Sequence, residues 1–379
     1  MGRSSTRPRT TIRPHGSGDR AGFLDLYEAV WGRRRGAEWF RWRFEENPYL
    51  DEVPMVVAEA DGRIVGAEPC VVFPLAVGDE TRLAFQPADW MVHPDHRRQG
   101  LFTGMTERLL DRYADGPQCC YYNYPSDAIR PGLRSQGWRD VGPVPTYYRV
   151  QNVERLASGR LATDQPAAEH ALALGQVGLS MARGVFSLAA GSDADGWAVE
   201  RHESVPVDTL VRIYRSGVPD GIHVRRDAAF YRWRFANPLW ETTTYVAVGD
   251  DGPAASLIAA TSDDGDLRCV WALDVLPADG SASLGSYEAL LSAVVADAAD
   301  ADVVKCAGIG LPETALRRCG FRRDDAFPLS AVSKRTTAVV RGVDPDGGDP
   351  TGREPWRTTG VDPLDDDAWA IQLCGQDVA

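Results

Sequence analysis

One short segment of the chain places two arginines, a glutamine and a glycine directly ahead of a helical pattern. This segment, residues 97–102 (RRQGLF), follows a strand-like stretch that ends at Pro94. Backbone N–H groups at the start of a helix have no partners within the helix, and the helix dipole favours negative charge there. A glycine lets the backbone approach a diphosphate closely, and arginines add charge-assisted hydrogen bonds. The segment therefore predicts a site for a phosphorylated ligand.

The composition limits the classes of partner. The chain has 379 residues, 44% of them hydrophobic, which is typical of a soluble protein with two domains of ordinary size. Its 54 acidic and 41 basic residues give a formal net charge of -13. A general nucleic-acid binder needs a basic face that neutralises phosphates, so we expect no nucleic-acid partner.

The cysteines and the apolar runs predict a cytoplasmic protein without a metal site. The seven cysteines include no CxxC pair, so the usual zinc and redox spacings are absent, and buried free thiols favour a reducing compartment. The arginine-rich first residues are not followed by the apolar run of a signal peptide. Residues 171–190 come closest to a membrane span, but Gln176 and Arg183 interrupt them, so we expect no membrane partner.

The hydrophobic pattern predicts the elements that position the segment at residues 97–102. Strands are expected at 10–14, 55–59, 64–73, 83–92 and 119–124, with helices after residue 19, over 103–113 and before Gly137. An Asp61-Gly62 pair between two strands is a strong hairpin signal. The segment thus lies between an antiparallel meander and a helix.

The chain also contains an internal repeat. Residues 39–48 (WFRWRFEENP) return as 230–238 (FYRWRFANP), and 133–138 (LRSQGW) as 316–321 (LRRCGF). Pro94 and Pro277 stand 183 residues apart, as do Gly137 and Gly320. A repeat this long indicates a duplicated domain. The predicted parts are a disordered arm at 1–9, domains at 10–150 and 196–337, a connecting helical segment at 151–195, and an acidic linker with a C-terminal strand at 338–379.

The aromatic-basic part of this repeat has two open interpretations. Trp39, Trp42 and Trp233 are expected to pack in the core, with the arginines reaching outward, because the pattern recurs in both copies. Contact with a substrate remains an alternative for the first copy.

Residues 91–102 (MVHPDHRRQGLF) resemble motif A of the GCN5-related N-acetyltransferase (GNAT) superfamily, in which the pattern is V-x-P-x-x-R-[Q/R]-x-x-G-x-[G/A] or a close variant. The tandem arrangement resembles the enhanced-intracellular-survival branch, and the W-x-W-x-F…NP segment is similar to GNAT proteins linked with surface polysaccharide synthesis. The resemblance implies an α/β (α+β) fold with two tandem GNAT-like domains, each a mixed, mostly antiparallel twisted sheet flanked by helices. It also implies an acyltransferase that moves an acetyl group from acetyl-CoA to a primary amine of a small molecule or amino sugar.

The resemblance assigns the coenzyme A contacts by position. The backbone of Met91 and Val92 is expected along the pantetheine, and Ser126 stands where relatives have an asparagine. The expected pyrophosphate cradle consists of Arg97, Arg98, Gln99, Gly100, Leu101, Phe102 and Thr103. Phe102 departs from the family pattern, because it replaces the final Gly or Ala of the motif.

The usual proton donor is missing from its family position. Many relatives place a tyrosine four residues before the glycine of a closing Gly-Phe pair, and that position is Leu133 here. The donor is therefore absent, or it is supplied from the preceding strand by Tyr121, Tyr122 or Tyr124, with Tyr124 and Tyr122 as the catalytic candidates. Packing in a buried strand is the alternative role for all three.

Asp89 is the best-placed carboxylate to accept a proton from the incoming amine. It lies five residues before Pro94, on the Met91 side of the strand if side chains alternate. Pairing with an arginine at the strand end is the alternative role. Glu68, on the neighbouring strand, is the second candidate.

The second copy lacks the features of an anion site. The common spacing places residues 280–283 (GSAS) at the position of the first copy's RRQG, and Asp279 adds negative charge. We expect this domain not to bind coenzyme A and instead to shape the acceptor cleft or stabilise the first domain. A non-catalytic acyl-CoA-binding or partner-binding relative stays open as an alternative function, and the acceptor amine and oligomeric state are left open.

Overall fold

A computed structural model describes residues 10–125, 127, 129–152, 196–264, 267–308, 310–327, 329–331, 335–344, 350–352 and 354–377. The expected arm at 1–9, residues 153–195 of the connecting segment, and Ser126 lie outside these ranges.

The first half folds in the predicted order. Its strands are β1 (Thr11–Pro14), β2 (Met55–Ala60), β3 (Arg63–Val77), β4 (Glu80–Pro87), β5 (Met91–Val92), β6 (Gln118–Asn123), β7 (Arg139–Val144) and β8 (Thr146–Val150). Its helices are α1 (Arg20–Trp31), α2 (Ala37–Phe40), a π-helical turn (Arg41–Glu45), α3 (Leu101–Arg112) and α4 (Arg130–Ser135). Asp61 and Gly62 both have positive φ, 51° and 76°, as the two-residue turn between β2 and β3 requires.

The second half repeats this order. Its strands are β9 (Ala198–His202), β10 (His223–Val224), β11 (Glu241–Gly249), β12 (Gly252–Asp264), β13 (Leu267–Leu276), β14 (Val303–Ala307), β15 (Arg322–Arg323) and β16 (Thr336–Arg341). Its helices are α5 (Val207–Ser216), α6 (Ala228–Arg234), α7 (Leu284–Asp297), α8 (Glu313–Arg318) and α9 (Trp356–Thr359). Helices α3 and α7 begin at Leu101 and Leu284, which are 183 residues apart like the two prolines.

The two sheets exchange strands. The first sheet runs β1-β2-β3-β4-β6-β16-β7, with β5 and β10 also paired to β3, and the second runs β15-β8-β14-β13-β12-β11-β9. Only Pro145 separates β7 from β8, so the chain passes directly from one sheet into the other. Sheet membership therefore differs from the predicted boundaries at 150 and 337: β8 belongs to the second sheet, and β16 lies between β6 and β7 of the first.

The C-terminal segment also differs from its predicted form. Trp369 and Gln372 form isolated bridges to Ile222 and Gly308, and residues 373–375 form a 3-10 turn instead of a strand. The apolar residues of this segment alternate because they are buried against both domains, and not because the segment pairs continuously with a neighbouring strand. Within the described parts of the chain, no helix is both long and apolar enough to cross a membrane.

The aromatic-basic repeat forms the contact between the two copies. The indole N–H of Trp42 donates to the carbonyl of Trp233 at 2.7 Å, and that of Trp233 donates to the carbonyl of Trp42 at 2.8 Å. The two rings stack at an interplanar angle of 23°, and Trp39 is also buried. The expected core packing of Trp39, Trp42 and Trp233 agrees with these contacts. The arginines were expected to reach outward, and this is wrong for Arg43 and Arg234, which are buried where the two domains meet.

Helix α3 is joined to the first sheet by a buried polar pair. Thr106, on α3, lies 3.0 and 2.9 Å from the two carboxyl oxygens of Glu68 on β3. Burial raises the pKa of Glu68 to about 8, and the Thr106 hydroxyl opposes this only in part. The helix that begins at Gly100 is thereby held on the face of the sheet that carries Glu68.

Replacing either tryptophan of the reciprocal pair by phenylalanine is expected to lower the free energy of unfolding by about 1–3 kcal/mol, because a buried hydrogen bond and ring contacts are lost. The double variant should lose less than the sum of the two single variants, because the two bonds depend on the same approach of the domains. Urea unfolding measures each value, with Trp31→Phe as the control because Trp31 is 50% exposed. Strictly additive losses would show that the two bonds act independently.

Glu68→Gln is expected to remove a pH dependence of stability. The raised pKa of Glu68 means that its contribution is full below its ordinary pKa of 4.5 and is lost as pH rises through about 8. The variant should therefore gain stability relative to the wild type as pH rises from 5 to 8, by up to about 1.4 kcal/mol per pH unit. Glu107→Gln, on the exposed face of α3, is the matched control. If the difference in the free energy of unfolding between Glu68→Gln and the wild type does not change with pH, the raised pKa of Glu68 is contradicted.

Candidate active site

The segment between β5 and α3 turns sharply because two of its residues have left-handed backbone conformations. A 3-10 turn at Pro94–His96 opens it, and the ring Nδ1 of His93 accepts the N–H of Asp95 at 3.3 Å. Arg98 and Gly100 have φ values of 59° and 78°. Glycine adopts this conformation without a steric penalty, which explains Gly100 at the entry to the helix.

The N-terminus of α3 is open and positively charged. Gly100 is its N-cap residue and supplies no capping side chain, and a Cβ built there would meet no atom within 4 Å. Arg97, Arg98 and Gln99 are exposed beside it. The first N–H groups of the helix, which lack a side-chain cap, belong to Leu101, Phe102 and Thr103. An anion is the partner that uncapped N–H groups and arginines favour together.

The backbone of Val92 faces away from β3. The N–H of His93 donates to the carbonyl of Val65 on β3 at 2.9 Å. Neighbouring residues of a strand direct their backbone groups to opposite sides, so those of Val92 point away from β3. Arg97 Nε donates to the carbonyl of Val92 at 3.1 Å. The backbone groups of Val92 and the side chain of Arg97 thus lie together on the side of β5 that faces away from β3.

A gap opens on that side because β4 and β6 diverge. Their parallel pairing ends at Phe85 and Tyr121. Beyond this point the side-chain amide of Asn123 donates to the carbonyl of Pro87 at 2.9 Å, which spans the start of the gap. The gap between these strand ends, beside the open N-terminus of α3, is called the cleft of the first domain below.

Aromatic rings form one wall near the loop. Phe102 packs edge-on against Trp90 with ring centroids 5.2 Å apart, and Trp90 packs against Trp138 at 6.5 Å. The bulky residue at the last motif position is therefore packed against neighbouring rings, and Leu101 beside it is buried.

Asp89 lies at a break in the strand and is paired with an arginine. Its φ is 48°, and its carboxylate accepts Arg43 Nε at 2.8 Å. Arg43 also bonds the carboxylate of Asp377 from the C-terminal segment, and its guanidinium lies 5.5 Å from the centre of the Trp39 ring. The Asp89 side chain remains 15% exposed and that of Asp377 23%, so the cluster is reachable from solvent.

The environment of Asp89 raises its pKa to about 6. Burial is the main cause, and repulsion from Asp377 acts in the same direction, while Arg43 opposes both. Asp89 and Met91 lie on the same side of the sheet, where Met91 joins the aromatic core that includes Trp39. A carboxylate with this pKa is ionised at neutral pH and accepts a proton more readily than an ordinary aspartate.

The three strand tyrosines have different surroundings. Tyr121 faces the α3 side and lies 3.3 Å from the Gln118 amide. Tyr122 is buried on the opposite side and donates to the carbonyl of Gly375 at 3.1 Å. Tyr124 packs against Tyr122, is only partly buried, and its hydroxyl bonds to none of the described residues. Burial raises the pKa of both Tyr122 and Tyr124.

Two further residues of the sequence predictions lie in the core on the α3 side. Glu68 lies under α3 against Thr106, on the face of the sheet opposite the Asp89 cluster. Leu133, at the position where relatives have a tyrosine, is buried among the same residues. Neither faces the gap beyond Phe85 and Tyr121.

The second copy satisfies its own helix N-terminus. Ser283 is the N-cap of α7, and its hydroxyl accepts the N–H of Ser286 at 3.1 Å. The carboxylate of Asp279 accepts the N–H of Ser281 at 2.9 Å. These groups take the place that an anion would need.

The structure adds residues that sequence reasoning did not select. Arg43 and Asp377 complete the Asp89 cluster, and Asn123 spans the gap. Arg43 belongs to the repeated segment, which was a usable signal. Asp377 is 288 residues away from Asp89 in the chain, and no sequence pattern connects the two.

Known proteins share this architecture. A family model described as an acetyltransferase (GNAT) domain matches residues 11–141, and no curated protein matches the sequence. A GCN5-related N-acetyltransferase from Anabaena variabilis is 11% identical with a TM-score of 0.57, over 89% of this chain and 73% of that one. A probable N-acyltransferase from Enterococcus faecalis is 11% identical with a TM-score of 0.59, over 89% and 73%. Eis1 from Mycobacterium abscessus is 17% identical with a TM-score of 0.49, over 89% and 74%.

The two structures with TM-scores of 0.57 and 0.59 share the fold of nearly the whole chain, and the family model covers strands β1 to β6 and the loop with Gly100. Residues 11–141 therefore belong to the GNAT acetyltransferase family, and the chain is built from two tandem GNAT-like domains.

Proposed function

We propose that this protein transfers an acetyl group from acetyl-CoA to a primary amine of a small molecule or amino sugar. The observation that carries the proposal is that three features of the first domain occur together on the side of β5 that faces away from β3. These are the uncapped N-terminus of α3 with Arg97 and Arg98, the outward backbone of Val92, and the gap beyond Phe85.

The donor side fits a coenzyme A thioester. Its pyrophosphate would bind the first N–H groups of α3 and the arginines, where negative charge is favoured. Its pantetheine would follow Met91 and Val92 into the gap, and the backbone groups of Val92 would bond its amides. The open space at Gly100 leaves room for the phosphates.

The acceptor side would use the Asp89 cluster. An ammonium must lose a proton before its nitrogen can attack the thioester carbon, and the ionised Asp89 would take that proton. The nitrogen then forms a C–N bond to the carbonyl carbon, and the C–S bond breaks as the tetrahedral intermediate collapses. The coenzyme A thiolate leaves and is protonated.

Tyr124 is the best candidate for the group that protonates the thiolate. Its side chain is partly exposed and its hydroxyl bonds to none of the described residues, whereas the Tyr122 hydroxyl already donates to the carbonyl of Gly375. Burial raises the pKa of Tyr124, so it holds its proton at neutral pH. Tyr122 then supports Tyr124 by packing.

A non-catalytic acyl-CoA-binding role is the second candidate. The observation that favours it is Leu133, which is buried and apolar where relatives place their tyrosine acid. Binding and turnover must therefore be measured separately.

Acetyl-CoA is expected to raise the melting temperature of the wild type, and Arg97→Ala or Gly100→Glu should reduce this shift. Losing a charge-assisted contact, or adding a negative charge at the phosphate position, should weaken binding about 10- to 100-fold. Arg108→Ala is the matched control, because it removes an exposed arginine from α3 itself, about two turns beyond Gly100. An unchanged melting temperature of the wild type with acetyl-CoA would exclude both candidate functions.

Asp89→Asn is expected to lower kcat about 100-fold or more while acetyl-CoA binding persists, because the proton acceptor is lost. In the wild type, kcat/KM should rise with pH through about 6, the pKa of Asp89. Tyr124→Phe should also lower kcat, whereas Asp25→Asn, on the exposed face of α1, should not. Thiol release measured with an amino sugar, a polyamine and an amino acid amide provides the rates.

If acetyl-CoA clearly raises the melting temperature but no thiol is released with any of these amines, the non-catalytic role is favoured. Full activity of Asp89→Asn would remove Asp89 as the base and leave the transferase assignment intact.

A further inference from the structure

The second domain contains a counterpart of the first domain's cleft. Strands β13 and β14 are parallel, like β4 and β6, and their pairing ends at Ala272 and Cys306. At the common spacing of 183 residues, Val275 occupies the position of Val92. A ligand of this cleft would therefore bond the backbone of Val275.

A glutamine from the chain's own C-terminal segment makes those bonds. The side-chain oxygen of Gln372 accepts the N–H of Val275 at 2.7 Å, and its side-chain nitrogen donates to the carbonyl of Val275 at 3.0 Å. Gln372 is buried. One amide group thus satisfies both backbone groups that an amide of pantetheine would satisfy.

The segment is packed tightly into this cleft. Residue Gly308, just after β14, pairs with Gln372, and a Cβ on Gly308 would lie 1.5 Å from the carbonyl oxygen of Ile371. A Cβ on Gly310 would lie 2.6 Å from the side-chain nitrogen of Gln372. Glycine is the residue that both positions accept, because the segment leaves no room for a Cβ at either of them.

The residues that follow connect this cleft with the first domain. Arg234 donates to the carbonyls of Cys374 and Gln376, at 2.8 and 2.9 Å. Gln86 and Tyr122 of the first sheet both donate to the carbonyl of Gly375. The segment then ends beside Arg43, where Asp377 completes the cluster with Asp89.

We propose that residues 371–375 occupy the second domain's cleft as a built-in substitute for pantetheine, and that Gln372 is thereby a positioning residue for the first domain's active site. The catalytic part of this inference rests on the proposed function. The second domain has kept the backbone geometry of a ligand cleft and uses it to bind the segment that brings Asp377 to Arg43.

The consequence at the active site follows from charge. The groups that face Asp89 are Arg43 from the π-helical turn, Arg35 ahead of α2, Tyr27 from α1 and Asp377 from the C-terminal segment. Arg43 and Arg35 lower the pKa of Asp89, and Asp377 raises it. If the segment leaves, repulsion from Asp377 is lost, and the pKa of Asp89 falls.

Two measurements on the full chain test the proposal. In Gln372→Ala, hydrogen exchange at the backbone N–H groups of Gly375 and Gln376 should accelerate about tenfold or more, because the buried bonds to Val275 are lost, while exchange in α3 stays unchanged. The acid limb of kcat/KM should also shift to lower pH, and Asp377→Asn should shift it in the same direction. Gln372→Glu keeps an acceptor for the N–H of Val275 but loses the donor at neutral pH, and exchange should be intermediate there.

Gln376→Ala is the matched control, because its side-chain nitrogen has no hydrogen-bond partner among the described residues. It should keep the wild-type exchange pattern and pH profile. If hydrogen exchange in Gln372→Ala is the same as in the wild type, Gln372 does not hold the segment in the second domain's cleft. If the acid limb of the kcat/KM profile is unchanged in both Gln372→Ala and Asp377→Asn, Gln372 is not a positioning residue for the active site. If Gln372→Ala does not fold, Gln372→Glu and Asp377→Asn supply the same two measurements.

Failure of the proposed function is a separate result. It would appear as a wild-type protein that acetyl-CoA does not stabilise or that releases no thiol. The exchange measurement does not depend on either.

Discussion

The reciprocal pair of bonds between Trp42 and Trp233 holds the two copies of the domain face to face. The indole N–H of each tryptophan donates to the backbone carbonyl of the other tryptophan, so each N–H finds its hydrogen-bond partner only in the other copy. The residues that follow the two tryptophans, Arg43 and Arg234, are placed by this contact. Arg43 bonds Asp89, and Arg234 bonds the carbonyls of the C-terminal segment. The arrangement of the candidate site therefore depends on how the repeats meet.

Strand exchange strengthens that dependence. Strand β8 of the first copy lies in the second sheet, and β16 of the second copy lies in the first, between β6 and β7. Each sheet is completed by a strand from the other half, because the chain enters the second sheet directly after Pro145 and is back in the first sheet at Thr336. The two domains consequently share backbone hydrogen bonds as well as a hydrophobic core, and the first domain's cleft lies in a sheet that the second half completes.

The duplicated domains have diverged at the same structural position. Gly100 leaves the N-terminus of α3 without a side-chain cap, whereas Ser283 caps α7 with its own hydroxyl. The cleft beside α7 is also filled, since Gln372 bonds the backbone of Val275. A helix N-terminus and a divergent pair of strands can thus stay open, as in the first domain, or be satisfied by the chain's own polar groups, as in the second. The local sequence decides which.

The sequence by itself determined the duplication, the order of elements, and the loop from Arg97 to Gly100. These depend on short-range patterns: hydrophobic periodicity, turn residues with positive φ, and arginines at the start of a helix. The sequence left the role of Asp89 open. Its predicted C-terminal strand is not formed, and the sheets do not follow the predicted domain boundaries. Only the tertiary structure decided that β8 and β16 change places and that Asp377 stands beside Arg43, because contacts between residues hundreds of positions apart arise from packing, for which a single sequence carries no periodic signal.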